Sequence, residues 1–193
     1  MNKDATEKHL MLMLTEGLGL DLTDSDLRGT PERVARMYAD EFFANNSGKT
    51  PKPRIQLSPN KNYTGIIVRD NIPFVSICAH HLLPFSGVAH LMYIPDKHLV
   101  GASKPSRIIQ YFAKKPQLQE YLSAEVLDYF CCKVQPLGAM LIIRAVHGCI
   151  SCRGAKDGNS SGMITSEVRG SFAENLSTRM EGLMLLKTMS PVL

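Results

Sequence analysis

An α+β fold with an antiparallel sheet follows from the order in which strand-like and helix-like stretches occur along the chain. Beyond a helical N-terminal stretch come three short strand patterns, then two helical stretches with apolar residues at i+4 spacing, and then two more strands. Strands and helices therefore do not alternate as they would around a parallel sheet. The 193 residues, 44% of them hydrophobic, suffice for one domain with a substantial core and a helical segment ahead of it. The expected organisation is a helical N-terminal arm over residues 1–45 and a sheet-containing domain over 46–193.

The arm opens with Asp4-Ala5-Thr6-Glu7, which has capping-box form, and Leu10, Met11, Leu14 and Leu18 recur at helical spacing up to Gly17 or Gly19. Thr30-Pro31 reads as an N-cap with proline at the first helical position. Val34, Met37, Tyr38 and Phe42 give this second helix one apolar face, and Arg33 lies off it. The stretch from Asn45 to Asn62, with three prolines, reads as an irregular connection. Strands are expected over 63–69, 74–77 and 87–94. Ser103 can cap a helix carrying Ile108, Ile109 and Phe112, and Pro116 can open another with Leu118, Leu122, Val126 and Phe130. Gln119 and Glu120 fall off that stripe, so the plainest reading of both, set against a binding role, is a solvated face. A strand over 137–147, a flexible loop from Gly154 to Gly162 and a strand over 163–168 come next. Ser171-Phe172-Ala173-Glu174 caps a final helix with Phe172, Leu176, Met180 and Leu183 on one side.

Net charge is only +4 and is spread along the chain, which argues against a nucleic-acid binder while leaving room for a local phosphate pocket. No apolar run approaches membrane-spanning length, and Met1-Asn2-Lys3-Asp4 lacks a signal-peptide core, so a cytoplasmic protein that does not enter a membrane is expected. Five cysteines without an export signal suggest reduced thiols and metal ligation over a disulfide framework. Cys131 and Cys132, at the end of a helical stretch, read as packing residues.

The chemistry concentrates in two motifs. Cys78-Ala79-His80-His81 gives Cys78 and His81 the two-residue spacing of a chelating turn. His147-Gly148-Cys149 follows the apolar run Ala139 to Ile143; if that strand continues, His147 and Cys149 point to one face and reach the same pocket. Three protein ligands with an open fourth position hold zinc where it activates water, whereas four usually close a structural site. Cys152 keeps the closed alternative alive, because Cys149-Ile150-Ser151-Cys152 is a C-x-x-C. On a continuing strand Cys149 and Cys152 face opposite ways, and a turn removes that objection. His80 and His147, taken singly, are the kind of histidine that packs in a core or bonds to backbone; beside metal ligands they suit acid–base work. Ser103, Lys104 and Arg107 at a helix start, with Arg153 beyond Cys149, suit a polyphosphate, though scattered basic residues are more often plain surface. Glu120 can accept two hydrogen bonds from an amidine-like edge such as that of guanine.

These residues carry a resemblance to the GTP cyclohydrolase I family. It runs from about Leu20 to Leu183, through Gly29-Thr30-Pro31-Glu32-Arg33-Val34, Cys78 to Pro84, Gly101 to Ile108, Lys115 to Glu120, His147-Gly148-Cys149 and Arg153-Gly154. The resemblance implies a tunnelling fold, with an antiparallel sheet and two helices packed on it. It also implies a homo-oligomer, two stacked rings making a decamer, with active sites built between subunits. It assigns Zn2+ to Cys78, His81 and Cys149, the triphosphate of GTP to Ser103, Lys104, Arg107, Arg153 and Arg33, and guanine to Gln119 and Glu120. His80 and His147 match the family's acid–base histidines. The implied reaction is hydrolytic attack at C8 of GTP, opening of the imidazole ring, loss of C8 as formate, and rearrangement to 7,8-dihydroneopterin triphosphate, the first step of pterin- and folate-type biosynthesis. One departure stands out: the family usually has Glu where this chain has Ala79, which bears on rate, substrate preference or completion of the steps. Two other readings stand beside this one, an enzyme that stops at a formamidopyrimidine or takes another purine nucleotide, and a non-catalytic, zinc-stabilised oligomeric binding module.

Overall fold

The computed structural model describes residues 1–158 and 161–189. The chain divides into two compact units, Met1–Pro51 with Lys114–Pro116, and Lys52–Ala113 with the residues from Gln117 onward.

In the first unit, helix α1 (Lys3–Leu12) starts earlier than the capping box suggests. Asn2 is the cap, its side chain accepting from the Ala5 N–H at 3.0 Å. A π-helical turn over Met13–Gly17 extends α1. Helix α2 (Thr30–Met37) has Gly29, not Thr30, at the cap, with Pro31 in the first turn where a missing N–H costs nothing. Only Pro31 and Ala35 of α2 are buried and no residue of α1 is, so the apolar side chains of Met11, Met13 and Leu18 stay exposed in this chain.

The second unit is built on a five-stranded sheet of order β5-β2-β3-β6-β7. The members are β2 (Ile67–Cys78), β3 (Pro84–Ile94), β5 (Pro116–Gln117), β6 (Gly138–His147) and β7 (Met163–Gly170), and β2, β3, β6 and β7 pair antiparallel in turn. Two expected strands merge into β2, interrupted by a register shift between Arg69 and Ile72 where Asn71 takes φ +46. Two three-residue strands were not expected: β1 (Leu57–Pro59), inside the supposedly irregular connection, pairs with β4 (His98–Val100). Helices α3 (Lys104–Ala113) and α4 (Gln119–Val134) cover one face of the sheet. Pro116 lies in β5 and does not open α4. Ile108, Ile109, Phe112, Leu122, Val126, Leu127 and Phe130 pack there with Phe74, Phe85, Leu91, Leu141 and Ile143. Each fully buried side chain of this size contributes on the order of 2 kcal/mol.

A smaller cluster, Met92, Met140, Phe172 and Leu186, lies on the opposite face. The expected final helix is two, α6 (Ser171–Glu174) and α7 (Leu176–Met189), broken at extended Asn175, whose side chain accepts from the N–H groups of Ser177 and Thr178. The break turns the apolar stripe, leaving Leu176 69% and Met180 44% exposed while Leu186 takes the core position. Between α4 and β6 the chain turns through Gln135, at φ +51. A helical turn, α5 (Gly148–Ser151), follows β6 directly.

Candidate active site

The β2–β3 turn is closed by two backbone bonds, Cys78 N–H to Leu83 O and Leu82 N–H to Cys78 O, each 2.9 Å, with Leu82 at φ +52. Ala79 N–H adds a bond to Gln117 O at 3.2 Å. Cys78 is thereby held inside, 5% exposed, while His80 and His81 stand out of the turn with rings 6.2 Å apart at 86°. One strand over, β6 ends at His147, which pairs with Phe85 and stacks on it at 4.6 Å and 3°.

The strand does not continue past His147. Gly148 turns the chain into α5 so close to the Pro84 carbonyl that a Cβ would sit 2.9 Å from it, and this turn swings Cys149 back over the end of β3. The two-apart, same-face expectation for His147 and Cys149 is thus wrong in its cause; a helical turn, not strand parity, aims Cys149. Its Sγ lies 3.9 Å from Cys78 Sγ, and one donor atom each from Cys78, His81 and Cys149 lie within 4.8 Å of one another. Two sulfurs about 2.3 Å from a tetrahedral ion stand about 3.8 Å apart, so the pair fits zinc as it stands. Burial pushes the Cys149 thiol up, Cys78 beside it adds to this, and Arg153 pulls it down. Cys152 is outside the group: its Sγ is 2.7 Å from Gly148 O at the exposed end of the turn.

Gln119 is not on a solvated face. It begins α4 at 1% exposure, and its Oε1 lies 2.8 Å from His147 Nε2. Its Nε2 donates to Ile143 O, Met163 O and Thr165 Oγ1 at 3.1–3.2 Å. Ser123, one turn along α4, donates to Gln119 O at 2.9 Å and stands 2.7 Å from Thr165 Oγ1. Phe85, Ser123 and Thr165 escaped the sequence reading. The i+4 spacing of Gln119 and Ser123 was the one available signal, since strand register is not written locally. Glu120 is exposed as expected. Burial holds the His147 imidazole below its ordinary pKa, and the charge of Glu120 partly offsets this. A cavity of about 220 Å³ beside His147 is lined by Ile150, Ser151, Asp157 and Met163 among others.

The phosphate-type residues are not gathered here within one chain. α3 ends beside Cys78, where Ser76 Oγ donates to Ala113 O at 2.7 Å. Ser103 and Lys104 are at its other end, about 14 Å away along a ten-residue helix, with Arg107 one turn in from there. Arg153, exposed, is close enough to act on Cys149. Arg33, in the first unit, donates to Asp26 O and Thr30 Oγ1 at 2.9 Å each.

An antiparallel sheet backed by helices, with a Cys-His-Cys donor group between the β2–β3 turn and α5 and an amide-held histidine beside it, defines an α+β protein with three donors able to hold a metal ion. The chain belongs to the GTP cyclohydrolase I family, hydrolases acting on cyclic amidines: the model of the family described as GTP cyclohydrolase I matches residues 6–187. It is 41% identical over 182 residues to GTP cyclohydrolase 1 of Pelotomaculum thermopropionicum, covering 94% of this chain and 95% of the relative. It is 41% identical to that of Carboxydothermus hydrogenoformans, covering 93% of each. Against that of Clostridioides difficile the identity is 39%, over 96% of this chain and 98% of the relative. Among solved structures, the apo archaeosine synthase QueF-Like aligns with a TM-score of 0.47 and 12% identity, over 56% of this chain and 97% of that one.

Proposed function

We propose that the chain is a zinc-dependent enzyme that opens the imidazole ring of GTP at C8, releases formate and forms 7,8-dihydroneopterin triphosphate. The observation that carries this reading is the Cys78, His81, Cys149 group, three donors with a sulfur separation that suits zinc. When bound, zinc supplies Lewis acidity that makes water a usable nucleophile near neutral pH.

The chain's own residues do the rest. Glu120, close enough for its charge to act on His147, accepts the N1–H and 2-amino donors of guanine. His147, kept neutral by its buried setting, moves a proton at a departing purine nitrogen, and His80 serves the other hydrolytic event. Ser103, Lys104, Arg107, Arg153 and Arg33 hold the triphosphate. Since Lys104 and Cys78 sit at opposite ends of α3 in one chain, the Ser103, Lys104 and Arg107 part of the triphosphate grip comes from a neighbouring copy, while Arg153 stays with the metal group of its own chain. That supports a ring-forming tunnelling-fold oligomer of ten chains, as do the uncovered apolar residues of the arm. Among the described residues no helix is long and apolar enough to cross a membrane, and the reading places the enzyme in the cytoplasm.

Ala79, exposed in the turn, offers no carboxylate beside the metal group, which favours one second reading, an enzyme arrested at a formamidopyrimidine. Counting formate per GTP consumed by zinc-loaded protein separates them. One formate per GTP is the expected result; GTP consumed without formate means arrest, and GTP untouched removes the proposal.

A further inference from the structure

A glutamine amide has two unlike ends, a nitrogen that only donates and an oxygen that only accepts. One end of the Gln119 amide faces the carbonyl oxygens of Ile143 and Met163 at 3.1 and 3.2 Å. Carbonyls only accept, so that end must be nitrogen; an oxygen there would oppose two others where water cannot intervene. The opposite end is then Oε1, 2.8 Å from His147 Nε2. An oxygen that only accepts requires a hydrogen on that ring nitrogen, and a hydrogen bond at one imidazole nitrogen sets the tautomer at the other.

We propose that Gln119 is a positioning residue that holds His147 as its Nε2–H tautomer, so that Nδ1 carries the ring's free lone pair. Gln119 then acts through His147, and its side chain, with both ends engaged, is not the guanine contact that the family resemblance implies. Three further contacts stiffen the arrangement. Thr165 Oγ1 is a third acceptor for the amide at 3.2 Å, Ser123 Oγ ties Thr165 to the Gln119 carbonyl, and Phe85 stacks flat on the imidazole. Gln119 and Ser123 are both buried, so no solvent molecule substitutes for a lost partner. Moving the ring hydrogen to Nδ1 would exchange a satisfied N–H for a lone pair facing Oε1, which the amide cannot answer by turning. The catalytic consequence, though not the tautomer, rests on the role given to His147 above.

The test is the 15N spectrum of the full chain labelled at histidine, recorded at about pH 8, where two-bond nitrogen–proton correlations distinguish the neutral tautomers. His147 is expected as Nε2–H in the wild type, and still so in Thr165→Val, which leaves the amide both carbonyls. Gln119→Leu is expected to release an Nδ1–H population with zinc content unchanged, and to lower kcat for formate release about tenfold with KM for GTP within about twofold. Gln119→Glu keeps an acceptor for Nε2–H but cannot donate to the carbonyls. It is expected to retain the tautomer and recover part of the kcat lost in Gln119→Leu. An Nδ1–H ring in the wild type overturns the proposal, as does equal loss in the Leu and Glu variants. Should Gln119→Leu not fold, the wild-type, Thr165→Val and Gln119→Glu spectra decide the matter. An Nε2–H ring together with full turnover by His147→Ala leaves the Gln119 assignment standing and removes the catalytic role of His147 instead.

Discussion

Cys78 and Cys149, 71 residues apart in sequence, bring their sulfurs within 3.9 Å across the ends of β2 and α5. Two thiols gain from this closeness only if a cation draws them together, and His81 completes the donor set. About one zinc per chain is therefore expected in the wild type. Cys78→Ala, His81→Ala and Cys149→Ala should each lose it together with activity, whereas Cys152→Ala should keep it, because Cys152 is turned to the Gly148 carbonyl. Metal analysis of the four purified variants checks this; zinc missing from Cys152→Ala would mean a four-protein-ligand site.

His147 and Glu120 should fail in different ways. Opening the ring and releasing formate each need a proton at a departing nitrogen, so His147→Ala is expected to admit the first water and stall before the second, accumulating a formylated pyrimidine. If Glu120 anchors guanine as proposed, Glu120→Ala should misplace C8 and cost on the order of 100-fold in all steps alike. Rapid-quench analysis on GTP follows both. No intermediate from His147→Ala, with wild-type turnover by Glu120→Ala, would undo these roles.

The separation of Lys104 from Cys78 along α3 yields a complementation test. Lys104→Ala and Cys149→Ala chains should each be inactive alone. Dissociated, mixed one to one and reassembled, they should regain about a quarter of the wild-type sites, because some neighbouring pairs then unite an intact triphosphate end with an intact metal end. No recovery in mixed oligomers of confirmed composition would show that each site belongs to one chain.

His90 supplies a pH dependence distant from this chemistry. It is 1% exposed on β3, with Nδ1 accepting from the Asn71 N–H at 3.2 Å at the β2 irregularity and Nε2 without a partner. Burial holds its folded-state pKa below the ordinary 6.5, with Asp70 pulling the other way. Below about 6.5 the unfolded chain therefore takes up a proton that the folded chain refuses. Stability should be complete above that pH and decline as pH falls through it. His90→Gln keeps an acceptor for Asn71 and cannot titrate, so its urea midpoint should change less than the wild type's between about pH 7.5 and 5.5. An equal change in both proteins would clear His90 of the effect.

The sequence made much of this architecture legible, for reasons that differ by element. Strand β6 and helices α3 and α4 announce themselves by apolar runs and periodicity, and the spacing of Cys78 and His81 survives any local backbone that makes a turn between two strands. Cys149 was placed with the correct partners by way of a strand that ends two residues too early, since Gly148 against the Pro84 carbonyl is a tertiary close approach invisible in a hydropathy pattern. Gln119 was misread because periodicity counts apolar side chains, whereas its burial is balanced by hydrogen bonds to β6 and β7, residues that register alone brings near. The last helix shows the same limit: Asn175 caps a new helix in the middle of the apparent stripe and turns Leu176 outward.

Zinc-edge X-ray absorption on the metal-loaded wild type, beside Cys152→Ala, measures most directly whether the Cys78, His81, Cys149 group is an open, reactive centre. The expected environment is two sulfurs, one imidazole nitrogen and one light-atom donor from solvent, unchanged in Cys152→Ala and perturbed by a GTP analogue. A third sulfur that disappears in Cys152→Ala would contradict the open site and make the metal a structural one.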